Sequence, residues 1–492
     1  MWVNFAHFFY ACGCSLNYRV GEKKPSVLYD IVCEHKFIFT KGGIVIPNFD
    51  CTTLMLNIRE SDIKKSDFIS DGKTVFFDIT LIRKPMICPF CRGNMIGHGH
   101  KLKIIKHPAL RNQIGFIRYH ANRYICKDCG KTAIEKNPFT FDGFNSSFLL
   151  LQNSMKLIAN LNYTLKMISE ELNISTTQLN RYIDSYITIP YRPLPESIGI
   201  DELHSRTLSR KNSSYLCVLV DNEKRALFDI LDSRSKLSLS MYFSNFPRSE
   251  RENVKYVTID MWDSYKDVAK TYFPNCVVAV DPFHVIKHLQ YDFERLRLDI
   301  MKNLPYGSNS YYLLKKWNWL LNESNIFLDN EPVYNSRFKT KLNKRNLRDM
   351  IFDAFPVLSQ AYYLKEAYRS MNSTASFDEA AEQYDTILNA FKKSGIKQFD
   401  EFISILSNWK EEILNSFLRP YDDRKLSNSL VENFNGKIRT YLSVSKGISN
   451  FERFRKRVLY SLSPDIQYAL SSNLYTCQNK TKKRGSYSNP QD

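Results

Sequence analysis

Five β-branched apolar runs between Ile198 and Val280 constrain this chain more tightly than any other feature. Ile198–Asp201, Tyr215–Val220, Ala226–Leu231, Val254–Ile259 and Val277–Val280 each read as a short strand, and Asp221-Asn222 marks a hairpin turn between the second and third. Helical spacing interleaves only after the third run. From about Ile286 to Leu418 no strand pattern appears, and Phe377–Phe391 and Phe399–Phe417 show helical spacing. The order predicts a sheet of three meandering strands followed by βαβ units, with a helical segment inserted behind it.

That strand order is the order of a ribonuclease-H-like α/β core, and acidic residues stand where such a core could use them. Asp201 ends the first run and Asp260 ends the fourth. Because alternate side chains of a strand face opposite sides, Asp201 and Glu202 cannot both enter one site, and Asp201 is the choice. Farther on, Val431, Phe434, Ile438 and Leu442 form the buried stripe of a helix. Glu432, Asn435 and Arg439 then share an adjacent face, with Asn428 one turn earlier. Carboxylates gathered from Asp201, Asp260 and Glu432 repel each other and want hard cations, so two Mg²⁺ or Mn²⁺ ions are expected. Taken singly, an Asp at a strand end is an ordinary cap or turn residue, as Asp221 and Asp263 are expected to be. Asp281 and His284, in Val280-Asp-Pro-Phe-His-Val, are candidates for direct metal contact or for supporting the ligands, as is Asn428 for support.

Lys+Arg of 69 against Asp+Glu of 51, a net charge of +18, points to a polyanionic partner, with DNA ahead of a membrane surface. No apolar run approaches the roughly 20 residues of a spanning helix, and the opening Met1–Cys12 lacks a basic flank, so a soluble, cytoplasmic chain is expected. Among eleven cysteines, Cys88-Pro-Phe-Cys91 and Cys126-Lys-Asp-Cys129 form two C-x-x-C pairs separated by 34 residues. Two such knuckles complete a closed tetrahedral Zn²⁺ site of the structural kind. His98 and His100 are rival ligands for one position, and four reduced bystander thiols are the plainer alternative. The intervening segment is rich in Lys and Arg and must form a long hairpin or loop, suited to phosphates or merely solvated.

Leu165, Ile168 and Leu172, the turn Asn173-Ile174-Ser175, and the run from Thr176 to Ile183 predict a helix-turn-helix. Ser175 with Gln178 reads as a capping box. Leu179, Tyr182 and Ile183 would pack inward, leaving Thr177, Gln178, Asn180 and Arg181 to meet base edges and phosphates, and Asn435 and Arg439 beside the acidic site are expected to contact DNA as well. An ordinary αα corner packs in the same way.

The ordered series of Cys88/Cys91/Cys126/Cys129, the helix-turn-helix, Asp201-Glu202, Asp260-Met261, Asp281-Pro-Phe-His284-Val, Ala361-Tyr-Tyr-Leu-Lys-Glu366, Trp409-Lys-Glu-Glu-Ile413 and Asn428…Glu432-Asn-Phe-Asn435…Ile438-Arg439 resembles bacterial insertion-sequence transposases of the ISL3 type over about residues 50–465. The resemblance implies a DDE transposase whose triad is Asp201, Asp260 and Glu432, acting on terminal inverted repeats and target DNA as a homodimer or larger assembly, in the bacterial cytoplasm with the nucleoid. It departs from the family at Asn433, where Gly is usual, and at Arg439, where Lys is usual. The expected division is an unassigned segment 1–50, a zinc-ribbon DNA-binding domain 51–140, a helix-turn-helix domain 148–190, the ribonuclease-H-like core in two parts (196–285 and 421–465), an all-helical insertion 286–420 and a basic tail 466–492. Two rivals remain: a transposase-derived DNA-binding regulator that has lost catalysis, and a nuclease or resolvase of the same fold that cuts without joining.

Overall fold

The computed structural model describes residues 58–109, 113–141, 144–209, 213–323, 326–421 and 423–469, together with Leu56 and the short strands Phe39–Thr40 and Gly43–Ile44. Most of the segment 1–50 and the tail beyond residue 469 lie outside the described residues. The described residues divide into two compact units, one comprising those up to Ile105 with Gly115–Phe139, the other those of Lys106–Ile114 with those from Thr140 onward. No described helix is long and apolar enough to cross a membrane.

The first unit is built on a six-stranded sheet. Its strands are β1 (Ile63–Ser70), β2 (Thr74–Leu81), β3 (Met86–Ile87), β4 (Asn94–His107), β5 (Ile114–Cys126) and β6 (Thr132–Ile134). The order is β1-β2-β5-β4-β3, with β6 on β5. Period-2 alternation explains the one-sided core: Val75, Phe77 and Ile79 of β2 and Ile117 and Tyr119 of β5 are buried while their neighbours are not. The 34 residues between the cysteine pairs fold mainly as the long β4–β5 hairpin, as their number demanded.

The second unit begins with helices α1 (Phe148–Ile158), α2 (Leu165–Leu172) and α3 (Thr176–Tyr186). Asn173 ends α2 in the left-handed conformation at φ 51°, and the Ser175 hydroxyl accepts from the Gln178 amide to start α3. The turn between them is thereby set by local chemistry. Strands β7 (Ser197–His204), β8 (Tyr215–Asp221) and β9 (Ala226–Leu231) follow, then α4 (Lys236–Ser244), α5 (Arg248–Glu252), β10 (Tyr256–Ile259), α6 (Asp263–Tyr272) and β11 (Val277–Val280). The sheet order is β9-β8-β7-β10-β11, with β8 antiparallel to both neighbours and β10 parallel to β7 and β11.

Both faces of this sheet are covered, which is why its strands read as continuous apolar runs rather than alternating ones. Ile198, Ile200, Cys217 and Leu219 face a core shared with the inserted helices. Leu203, Leu216, Val218 and Val220 face a second core, built with α1–α3 and with the late helices α15 (Ser429–Val444) and α16 (Phe451–Leu462). Arg457 of α16 is buried and donates to the carbonyls of Ile158, Asn160 and Tyr163, satisfying the C-terminal end of α1. The helix-turn-helix segment therefore shares its core with the sheet.

Between sheet and α15 lie α7 (Pro282–Lys302), α8 (Asn309–Lys316), α9 (Trp319–Asn322), β12 (Val333–Asn335), β13 (Thr340–Leu342), α10 (Lys344–Ala354), α11 (Pro356–Thr374), α12 (Phe377–Ser394), α13 (Asp400–Asn408) and α14 (Lys410–Asn415). The expectation of an all-helical insertion needs one correction, because β12 and β13 pair as an antiparallel hairpin. Three residues per strand, mostly exposed, are too few and too polar to print a period-2 signal. The helical run Phe399–Phe417 is likewise two helices, broken at Trp409.

Candidate functional site

Register across three strands brings the acids level. Thr258 pairs with Gly199 in the parallel β10–β7 ladder, so two residues farther along each chain Asp260 stands beside Asp201. Val280 pairs with Ile259 in β11–β10, and the Asp281 amide donates to the Ile259 carbonyl, which places Asp281 next in the row. Asp260 and Asp281 lie just past the carboxyl ends of β10 and β11, and Asp201 lies within β7 two residues past its last parallel pair with β10, where open α/β sheets form their crevices.

Helix α15 crosses this row. Strand alternation turns Gly199, Asp201 and Leu203 toward it, while Glu202 turns away and pairs with Arg234. That Arg234 guanidinium lies 4.1 Å from the Tyr215 ring and 4.5 Å from the Trp262 ring, holding Glu202 to its own side. The close approach of α15 depends on Gly199: a Cβ there would lie 2.7 Å from Val431 Cγ2. Val431 sits against the strand, so its neighbour Glu432 is carried to the strand ends.

Asn435 sits one turn after Glu432 and is fully buried. Its Nδ2 donates to Asp201 Oδ2 at 2.8 Å and to the Glu202 carbonyl at 3.2 Å. Its expected place on a DNA-facing surface is thus corrected, since a side chain sealed between strand and helix cannot reach a nucleic acid. The buried stripe of α15 runs Val431, Phe434, Asn435, Ile438 and Tyr441, with Leu442 only half-buried, while Arg439 is exposed as expected. Asn428, also fully buried, fastens the start of α15: its Nδ2 donates to the Ile200 carbonyl at 2.9 Å and its amide to Asp281 Oδ1 at 3.1 Å. The other Asp281 oxygen lies 3.1 Å from His284 Nδ1.

Burial pushes the Asp201 carboxyl up to about 6, with the charges of Glu202 and Glu432 adding to it. Burial likewise pushes Asp260 up to about 7, reinforced by Glu202 and Asp201 and opposed by His284 and Arg234. The hydrogen bond to Asp281 raises His284 above the usual imidazole range. Buried Asp260 Oδ1 has no hydrogen-bond partner among the described residues. Carboxylates held this close, one with a bare oxygen, are the donor set a hard divalent cation takes. Ligand atoms of Asp281, His284 and Glu432 lie within 4.8 Å of one another, whereas Asp201, Asp260 and Glu432 do not form so tight a group. Sequence alone had left Asp281 as a possible extra member of the site, and register puts it in the row. Gly199 and Arg234 were missed, because their roles depend on which helix and which rings fold against them.

In the first unit the four thiols of Cys88, Cys91, Cys126 and Cys129 converge, with Sγ separations of 3.6 Å for Cys88–Cys129 and 3.4 Å for Cys91–Cys126. A tetrahedral zinc with bonds of about 2.3 Å needs about 3.8 Å between sulfurs, so the cluster fits with little adjustment. The two knuckles repeat one geometry. Cys88 and Cys126 amides donate to the carbonyls of Gly93 and Lys131, and Arg92 and Gly130 return in the left-handed conformation at φ 63° and 67° to donate to Cys88 and Cys126. His98 and His100 are exposed along β4 and lie outside the cluster, which removes them as ligands. On α3, Thr177 and Arg181 are exposed and Gln178 and Asn180 half-buried, while Leu179, Tyr182 and Ile183 are buried.

A family model for DDE transposases of the ISL3 group, described as transposase, matches residues 198–458, more than half of the chain. The match spans the second sheet, the inserted helices, α15 and most of α16. No match was found among curated proteins.

Proposed function

The chain belongs to the ISL3-type DDE transposase family, and from that premise we propose that it cuts the ends of a DNA element and joins them to target DNA. Asp201, Asp260 and Glu432 would hold two Mg²⁺ or Mn²⁺ ions. The observation that carries this reading is the level row of acids at the strand ends with Glu432 delivered across it by α15. The β9-β8-β7-β10-β11 order supports a ribonuclease-H-like core interrupted by the α7–α14 insertion.

Bound ions supply a deprotonated water or hydroxyl as nucleophile and stabilise the leaving oxygen. The chain's own groups orient and hold. Asn435 fixes one oxygen of Asp201, Asn428 fixes one oxygen of Asp281, and Asp281 presents His284 beside Glu432. Water attack on the phosphodiester at the element's end frees a 3′-hydroxyl. That hydroxyl attacks a target phosphodiester in line and expels a target 3′-oxygen, with no covalent protein intermediate. The tight grouping of Asp281, His284 and Glu432 favours a version in which Asp281 shares an ion with Glu432.

Terminal repeats would be read by Thr177, Gln178, Asn180 and Arg181 of α3 and gripped by the zinc ribbon, with Arg439 on the exposed side of α15 meeting phosphates. Handling two ends requires at least a dimer. The experiment uses purified protein, Mg²⁺ or Mn²⁺, and a labelled duplex carrying the element's ends. Joined products that vanish in Asp201→Asn, Asp260→Asn and Glu432→Gln are expected. Nicks without joining would instead mark a nuclease, binding alone a regulator, and three fully active variants would refute the triad. An Asp281→Asn variant with unchanged metal dependence would remove Asp281 from the ion's shell.

A further inference from the structure

One surface of the inserted segment is assigned to nothing above. It is formed by the loop after α7, by α8 and by the β12–β13 hairpin, all within the second unit. Tyr306 is 86% exposed and Tyr334 62% exposed, a large outlay of aromatic surface in water. Tyr334 pairs directly with Lys341 across the hairpin. Tyr306 lies 5.2 Å from Tyr311, ring centroid to ring centroid, and the Lys315 ammonium lies 6.0 Å from the first ring and 5.5 Å from the second.

The hairpin is fastened to α8 rather than left free. Arg337, at its turn, donates to the Asn309 side chain at 2.8 Å and to the Gly307 carbonyl, and Phe338 packs against Tyr312 at 5.9 Å. A two-stranded hairpin is marginal alone, so these contacts are what present Tyr334 and Lys341 in a fixed place. Lys315, Lys316, Lys339 and Lys341 are exposed, and among the described residues none of them has a carboxylate partner. Nearby Asp329 is already occupied by Arg345.

Exposed rings interleaved with unpaired cations are the chemistry of single-stranded nucleic-acid binding. Bases stack on the rings whatever their identity, and the ammonium groups follow the phosphates. Base pairs in a closed duplex offer no free face to such rings, so the surface selects unpaired nucleotides. A protein partner of acidic character would satisfy the lysines but would leave the rings' broad exposure unexplained. We propose that the Tyr306–Tyr334 face of the insertion binds unpaired nucleotides of a DNA strand. This rests on the reading of the chain as an enzyme acting on DNA ends, where a cut or frayed end supplies such nucleotides.

The test is fluorescence anisotropy of the full chain with a short labelled oligothymidine and, separately, a duplex of the same length. Tyr306→Ala with Tyr334→Ala should weaken single-strand binding by at least about tenfold and duplex binding by much less. Tyr306→Phe with Tyr334→Phe should restore it, because the ring and not the hydroxyl stacks. Replacing Lys315 or Lys341 by Ala should lower the single-strand salt slope by about 0.7 each. Unchanged single-strand binding in the double Ala variant, equal loss on single strand and duplex, or failure of the Phe variants would each overturn the proposal. Repeating the measurement in Asp201→Asn scores binding apart from cutting, and wild-type protein that joins ends but holds no single strand would sink this inference while leaving strand transfer standing.

Discussion

Replacing Gly199 by Ala tests whether the site depends on the close seating of α15. The added methyl would lie 2.7 Å from Val431 Cγ2, 3.0 Å from Asn222 Oδ1 and 3.3 Å from Thr258 Oγ1. Carbon atoms rest at about 3.5–4.0 Å, so relief requires α15 to withdraw by roughly 1 Å. Overpacking of this kind costs about 1–3 kcal/mol, lowering the melting temperature by on the order of a few degrees. Glu432 follows Val431 directly and moves with it. A misplacement of about 1 Å at a reacting centre costs roughly 100-fold in rate, so strand cleavage should fall far more than stability. Val431→Ala removes the opposing methyl at the expense of a small cavity. Combined with Gly199→Ala it should recover much of the activity, with a favourable coupling of about 0.5–3 kcal/mol in the double-mutant cycle. Calorimetry and cleavage of a labelled end duplex read both quantities. A Gly199→Ala protein with wild-type cleavage, or strictly additive variants, would refute the seating argument.

Two further outcomes follow from the same geometry. Asp201 and Asp260 are raised to about 6 and about 7 from an ordinary 3.8, so the folded state keeps protons that the unfolded chain has already released. Their stabilising contribution is full below about pH 4 and is lost as pH rises through 6 to 7. In chelator the contribution of this pair should therefore be smaller at pH 8 than at pH 5, and Mn²⁺ or Mg²⁺ should raise the melting temperature more at pH 8. Equal ion-induced shifts at the two pH values would contradict the assignment. For the thiol cluster, metal analysis of fresh protein should find one zinc per chain, lost in Cys126→Ser along with protection of the β4–β5 hairpin from hydrogen exchange; zinc retained in that variant would disprove the four-thiol site.

Much of the fold was legible because local rules carried it. Apolar runs marked the strands of the second sheet, and their limits agree with the structure to within a few residues at β8, β9, β10 and β11. Strand β7 runs on to His204, beyond the Asp201 where its apolar pattern stops, because Leu203 continues the buried face. Ser175 and Asn173 set the turn between α2 and α3 through caps that depend on neighbours in sequence alone. The capping box is realised only in part, by the single bond from the Gln178 amide to the Ser175 hydroxyl. The β12–β13 hairpin escaped because its stability comes from Arg337 and Phe338 reaching α8, contacts that no local period encodes.

By itself the sequence determined that Asp201 and Glu202 face opposite sides, that Asp260 closes a strand, and that two C-x-x-C knuckles could meet. Those are consequences of backbone periodicity and of ligand chemistry, which act over a few residues. Tertiary structure alone decided that Asp281 joins the row, that Asn435 is a buried clamp on Asp201 and not a contact for DNA, and that His98 and His100 stand clear of the thiols. Each of those depends on the register between strands distant in the chain or on the depth to which one helix settles on a sheet. Side chains from all over the molecule fix those quantities together, and at Gly199 the depth turns on the absence of a single methyl group.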